Sequence, residues 1–248
     1  MDSQIEARPW LRQNEWEVRF EWGPTGVEAV AAGAVVIVDV LRFTTAVDAG
    51  VGRGVAVFPY RWKDSSAQDF ADQVGAVLAD PGDPLGPSLS PVSLLPLGPQ
   101  DRVVLPSPNG STCAAIAHDK GAVVVAACLR NAHAVGDWLN QTTPAVTVIA
   151  CGERWEDRSL RPSLEDYLGA GAVISTLTGT RSPEAAAAAD AWTAARTRIR
   201  DVLADCVSGR EATARGWGRD LDFAAEVDVS AAVPLLRDGC FVDARAGR

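Results

Sequence analysis

Hydrophobic and polar positions along the chain sort into two kinds of segment. Short apolar runs rich in β-branched residues lie at Val35–Val40, Val55–Phe58, Arg102–Leu105, Ala122–Ala127 and Ala145–Ala150. Runs this short and this apolar have the signature of strands buried on both faces, as in a parallel sheet. Glu15–Trp22 (EWEVRFEW) instead alternates charged and apolar side chains, the period of a half-exposed strand. Between the strands, the pattern predicts helices over Phe43–Val51, Asp64–Gln73, from the Asn109-Gly110 turn to about His118, and over Ala132–Asn140. Pro24–Ala32 is long enough for one or two helical turns, and Val74–Leu78 for another short strand. This alternation predicts an α/β fold, a three-layer α/β/α arrangement with a mostly parallel or mixed sheet. Val35–Val40, the helix after it and Val55–Phe58 form a β-α-β unit, which predicts parallel pairing through a right-handed crossover.

Two regions depart from the alternation. Residues 80–100 hold six prolines (Pro81, Pro84, Pro87, Pro91, Pro96, Pro99) and three glycines, so no regular element is predicted there. Loops this long in a compact domain are usually functional or disordered, and this one reads as a surface excursion bordering the site. From about residue 182 the chain turns helical. Ser182 caps a helix running to Val207 with Pro183 at its first position and Gly209 as the stop. Short helices follow at Arg210–Arg215 and Phe223–Val227, and Cys240–Ala244 reads as a last edge strand. With no internal repeat and the same patterning on both sides of the Pro-rich loop, residues 1–248 read as one domain.

Composition narrows the function. Lys and Arg number 23 against 32 Asp and Glu, a formal charge of −9. Without a basic block, neither nucleic acid nor an anionic membrane surface is an expected partner. No run approaches the ~18 apolar residues of a membrane span. The first ten residues, MDSQIEARPW, lack the apolar centre of a signal peptide, which points to a cytoplasmic protein. The five cysteines show no metal-binding C-x₂₋₄-C spacing and read as reduced, mostly buried thiols. The only histidines, His118 and His133, fall inside predicted helices and in no catalytic motif.

Candidate chemistry gathers where strands end. The first apolar run leads into Asp39, Arg42, Thr44 and Thr45, and in open α/β sheets ligands bind beyond the carboxyl ends of the strands. On this stretch alone, a local Asp39–Arg42 ion pair with threonine caps competes evenly with a metal-and-anion site. Three more strands end in polar groups: Ser107 and Asn109 with Gly110 and Ser111, Arg130 and Asn131, and Glu153 and Arg154. The Asn109-Gly110-Ser111-Thr112 turn opens a helix, where free N–H groups and the helix dipole favour an anion. Ser163 and Asp166 have capping-box spacing, which offers Glu165 and Asp166 a purely structural role. Parallel strands bring all four ends to one edge, so a shared cleft explains them better than four coincidences.

Five ordered stretches, VVIVDVLRFTTAV, VVLPSPNGSTCA, AACLRNAHAV, VTVIACGE with SLEDYLGAGAVIS, and GRDLDFAAEVDVSAAVP, resemble successive blocks of the 2-phosphosulfolactate phosphatase family. The resemblance runs from about Val35 to Pro234. It implies a Mg²⁺-dependent acid phosphatase with an α/β/α arrangement, acting on a small anionic phosphorylated substrate. The family's named reaction converts 2-phospho-3-sulfolactate to 3-sulfolactate and phosphate, a step towards coenzyme M; a homodimer is also expected from the resemblance alone. Asp39 and Arg42 match its D-V-L-R block, Asn109 and Gly110 its N-G block, Asn131 its L-x-N block, and Glu165 and Asp166 its E-D block. The implied metal ligands are Asp39 and one of Glu165 or Asp166, with Asp166 preferred. Asp39, Arg42 and Glu165 form the expected catalytic set, with Glu165 orienting the attacking water. Arg42, Ser107, Asn109, Gly110, Ser111 and Asn131 form the expected phosphate-binding set. The chain departs from the family in lacking its G-E-x-x-G and G-N-S-P elements, of which only Ser90-Pro91 remains, and in placing Phe43 where a small residue is usual. These departures bear on the substrate more than on the fold. Two other readings stay open: a hydrolase or lyase acting on another anionic metabolite, and a non-catalytic anion-binding protein.

Overall fold

The computed structural model describes residues 8–62, 64–83 and 86–246. The start of the polar N-terminal arm and Pro84 lie outside the described residues. In chain order the strands are β1 (Val18–Trp22), β2 (Ala34–Val38), β3 (Ala56–Tyr60), β4 (Val77–Leu78), β5 (Arg102–Pro106), β6 (Val123–Ala127), β7 (Val146–Ala150), β8 (Glu153–Arg154), β9 (Leu160–Arg161), β10 (Pro234–Arg237) and β11 (Cys240–Asp243). The α-helices are α1 (Gly23–Val30), α2 (Phe43–Val51), α3 (Ser66–Val74), α4 (Gly110–Asp119), α5 (Ala132–Thr142), α6 (Leu164–Thr176), α7 (Pro183–Ala195), α8 (Ile199–Asp205), α9 (Val207–Ala214) and α10 (Gly218–Ala224).

Among the described residues, nine strands form one sheet in the order β1-β7-β2-β6-β10-β11-β3-β5-β4. β1 and β2 both run parallel to β7, β2 to β6, and β3 and β4 to β5. The antiparallel pairings are β6 with β10, β10 with β11 and β11 with β3. The sheet is therefore mixed but mostly parallel, with helices on both sides. β2 shows the layering best, because successive side chains on a strand point to opposite faces. Ala34, Val36 and Val38 pack into one core with α5, α6 and α7. Val35 and Ile37 pack into the other with α1, α2 and α4. All five are fully buried, which is why this strand reads as an unbroken apolar run.

The expected pairing of the second and third strands does not occur. β6, β10 and β11 stand between β2 and β3. The C-terminal strand is likewise not an edge strand: Phe241 pairs with Val57 of β3, and Leu235 of β10 with Val125 of β6. The hairpin turns at Asp238-Gly239, both with positive φ (51° and 82°), as a tight two-residue turn requires. Pro234 occupies the first position of β10, where a missing N–H is tolerated.

Other departures are local. The polar segment after β7 forms a small antiparallel hairpin, β8–β9, rather than a plain loop. The Pro-rich segment contains a 3₁₀ turn at Pro91–Leu94. The helix expected to run from Ser182 to Val207 breaks into α7, a 3₁₀ turn at Arg196–Arg198, and α8. Gly209 does not stop it. It lies inside α9, where its N–H donates to Cys206 Sγ, the cap that starts this new helix. His118 and His133 are exposed on helix surfaces, and all five cysteines are free, with Cys240 alone half-buried. Among the described residues no helix is long and apolar enough to cross a membrane.

α6 and α7 approach closely at Gly171, where an added Cβ would stand 2.1 Å from the Ala188 carbonyl oxygen. Gly171→Ala is therefore expected to destabilise the protein by about 1–3 kcal/mol, the usual cost of overpacking, as measured by urea unfolding.

Candidate active site

Beyond β2 the backbone is locked by its own side chains. Thr44 Oγ1 accepts from the Asp39 N–H at 3.0 Å and donates to the Asp39 carbonyl at 2.9 Å. Thr45 Oγ1 donates to the Val40 carbonyl at 2.7 Å. The threonines thus face back to the strand instead of capping α2. The carboxylate of Asp39 takes the capping role. Its Oδ1 accepts from the Phe43 N–H and its Oδ2 from the Gly110 N–H, each at 3.1 Å. One side chain therefore joins the N-termini of α2 and α4, where the helix dipoles favour negative charge.

Asp166 joins two other segments. Its Oδ1 accepts from the Val40 N–H at 2.8 Å and its Oδ2 from the Gly152 N–H at 2.9 Å. The expected capping box with Ser163 is not formed, and Ser163 Oγ is buried without a hydrogen-bond partner. Glu165 Oε2 accepts from the Cys206 thiol at 3.5 Å. Burial, followed by the neighbouring Glu165 charge, pushes that thiol up to about 11.

Asp39, Glu165 and Asp166 are all buried. Burial pushes the Asp39 carboxyl up to about 6, with the Phe43 N–H opposing the rise and the Glu153 charge adding to it. Asp166 is pushed well above the ordinary carboxyl range by burial, and then by the charges of Glu165 and Asp39. Among the described residues no Lys or Arg pairs with any of the three. Oxygen donors with uncompensated charge suit a hard cation. Among the described residues no group of three or more His, Cys, Asp or Glu is placed to hold a metal ion. A small hard cation needs only one or two carboxylates, with water and substrate oxygens filling the remaining positions.

Arg42 does not pair with Asp39. Its Nη1 lies 2.6 Å from Asp220 Oδ2, and its Cζ stands 3.7 Å from the centroid of the Trp217 ring. The other oxygen of Asp220 accepts from Ser90 Oγ in the Pro-rich loop. Asp220 engages one of five guanidinium N–H donors, which leaves capacity for an anion.

The ends of β5 and β7 join this centre. Asn109 Nδ2 donates to Glu153 Oε1 at 2.9 Å, and Asn109 Oδ1 accepts from Arg154 Nε at 3.2 Å. Ser107 and Ser111 are buried alongside, with Ser111 Oγ donating to the Leu105 carbonyl at 3.4 Å. The N–H groups of Gly110, Ser111 and Thr112 open α4, where a helix has no acceptor of its own to offer. The end of β6 does not join. Asn131 is fully buried, its Oδ1 accepting from the Cys128 N–H at 2.8 Å and its Nδ2 donating to the Ala232 carbonyl at 3.3 Å. Both ends of its amide are thus bound to backbone groups. Arg130 turns to Asp48, Glu226 and the face of Phe223. Trp217 and Asp220 were not among the expected site residues. Asp220 lies in the GRDLDFAAEVDVSAAVP block, which offered a signal, whereas nothing in the sequence pointed to Trp217.

The raised Asp39 pKa sets a sign for pH dependence. The folded state binds this proton more tightly than the unfolded chain, so its contribution is largest below about pH 4 and is lost as pH rises to about 6. With divalent cations removed, the melting temperature is expected to fall between pH 4.5 and about 6.5. Asp39→Asn should flatten that slope in thermal scans.

A family model described as 2-phosphosulpholactate phosphatase matches residues 24–239. A comparison with curated proteins found no match. The matched span takes in the acidic centre, Arg42 with its Asp220 partner, and the Pro-rich loop. The chain therefore belongs to the 2-phosphosulpholactate phosphatase family, a family of phosphatase enzymes.

Proposed function

We propose that this protein is a Mg²⁺-dependent phosphomonoester hydrolase that converts a phosphorylated 2-hydroxy acid, of the class to which the family's 2-phospho-3-sulfolactate belongs, to the free acid and phosphate. The observation that carries this reading is the Asp39 carboxylate, buried without a cationic side chain where the ends of β2 and β5 meet, in a chain of this family.

Asp39 and Asp166 would hold the ion through oxygen donors already oriented by backbone N–H groups. When bound, Mg²⁺ offsets negative charge on the phosphoryl oxygens and on the leaving oxygen. Arg42 takes one non-bridging oxygen through N–H donors not used by Asp220. The first-turn N–H groups of α4 at Ser111 and Thr112 take another, aided by the helix dipole. Asn109, with Ser107 beside it, fixes the turn that carries those groups. Glu165 orients the attacking water and accepts its proton as the water oxygen bonds to phosphorus and the ester P–O bond breaks, and the departing alkoxide takes a proton from solvent to give the hydroxy acid.

The test is phosphate release from a panel of phosphorylated 2-hydroxy acids, including 2-phosphosulfolactate, with Mg²⁺ and with EDTA. Release is expected with Mg²⁺ only, and Asp39→Asn should lower kcat by about 100-fold or more with an unchanged circular dichroism spectrum. A fully active Asp39→Asn variant would sink the assignment. Binding of these acids with no release from any ester would indicate a metabolite-binding protein instead.

A further inference from the structure

A cavity of about 500 Å³ opens beside Arg42. Its other walls come from segments that the phosphoryl chemistry does not use. Leu78 lines it from β4, Ala79 from just after that strand, Leu89 from the Pro-rich loop, and Trp217 and Arg215 from the turn between α9 and α10. The loop wall is fixed in place. The Asp80 N–H donates to the Pro87 carbonyl at 2.9 Å, the Ser88 N–H to Ser93 Oγ at 2.9 Å, and Ser93 Oγ to the Ser90 carbonyl at 2.6 Å. Ser90 in turn binds Asp220, the partner of Arg42. The cavity is thus built into the same network that orients the candidate phosphate ligand.

Its size and chemistry do not suit a compact acid. Cavities of roughly 300–1,000 Å³ enclose ligands of drug size, and a three-carbon acid would leave the apolar walls wet. The charges are also mixed. Asp64 and Asp80 border the cavity as well as Arg42 and Arg215, so it is no general anion trap. Arg42 is paired with Asp220 and Arg215 with Glu211 at 2.7 Å, each through one nitrogen, so an occupant fits when its negative groups sit at the remaining donors of the two arginines and its body is apolar.

We propose that this cavity receives the non-phosphate part of the substrate, and that this part is an extended 2-hydroxy acid with an apolar, preferably planar body packed on Leu89 and Trp217. Its acid group reaches Arg215. The inference rests on the phosphatase reading only for which end of the substrate lies at Arg42.

Calorimetry of the full-length protein with free acids, in Mg²⁺, separates the two ideas because it requires no turnover. 3-Phenyllactate is expected to bind at least about tenfold more tightly than lactate or 3-sulfolactate, since a buried ring removes substantial apolar surface from water. Leu89→Trp, which fills the cavity, should bring that ratio close to one. Equal or weaker binding of 3-phenyllactate, no detectable binding of any of the three acids, or an unchanged ratio in Leu89→Trp would overturn the inference. Absence of phosphate release from every ester, with the calorimetric preference intact, would instead remove the phosphatase reading and leave the cavity assignment standing.

Discussion

Two aspartates buried against backbone amides hold the ends of three strands of this sheet together. Asp39 ties the ends of β2 and β5 through Phe43 and Gly110, and Asp166 ties β2 and β7 through Val40 and Gly152. Hydrogen bonds to a charged acceptor contribute about 1.5–3 kcal/mol each, yet burial still raises both carboxyls, so desolvation outweighs the four amides. Charge held in this way is a local cost that a cation can relieve. Much of the surrounding structure follows from that constraint. α2 must begin at Phe43 and α4 at Gly110 for their N–H groups to reach Asp39. α6 must begin close to β7 for Asp166, in its first turn, to reach Gly152.

A second constraint concerns Arg42. Its guanidinium is fixed by Asp220 and Trp217 at the start of α10, and Asp220 is tied to Ser90 of the Pro-rich loop. Three stretches far apart in sequence therefore set the position of one cation. A paired and hydrogen-bonded arginine is preorganised for an anion, because little side-chain freedom remains to be lost when the anion arrives. The same stretches wall the adjoining cavity, which links orientation of Arg42 to the shape of what binds next to it.

Much of this was legible in the sequence, for identifiable reasons. β2 and α2 stood out because a strand buried on both faces must be apolar throughout, and the breaks after α2 at Gly52 and Gly54 are unambiguous. The cluster of strand-end residues was legible because apolar strands running into polar groups mark ligand sites in such folds, and hydrogen bonds do join Asp39 to Gly110 and Asn109 to Glu153. Sheet order was not legible, since pairing between β2 and β6 or β3 and β11 is set by tertiary contacts that local pattern does not encode. The central hairpin was a missed signal: Asp238-Gly239 between apolar stretches is a strong turn signature, obscured by Pro234 and by the chain end. Asn131 stands apart from that cluster. An amide at a strand end satisfies buried backbone groups as readily as it binds a ligand, and here it does the former.

The most direct measurement of the acidic centre is a calorimetric titration of the metal-free protein with Mg²⁺, alongside the Asp39→Asn and Asp166→Asn variants. One ion per chain is expected for the wild type, with affinity reduced at least about tenfold in each variant. Wild-type protein that binds no Mg²⁺, or variants that bind it as tightly as the wild type, would contradict the assignment of these two carboxylates as the cation site.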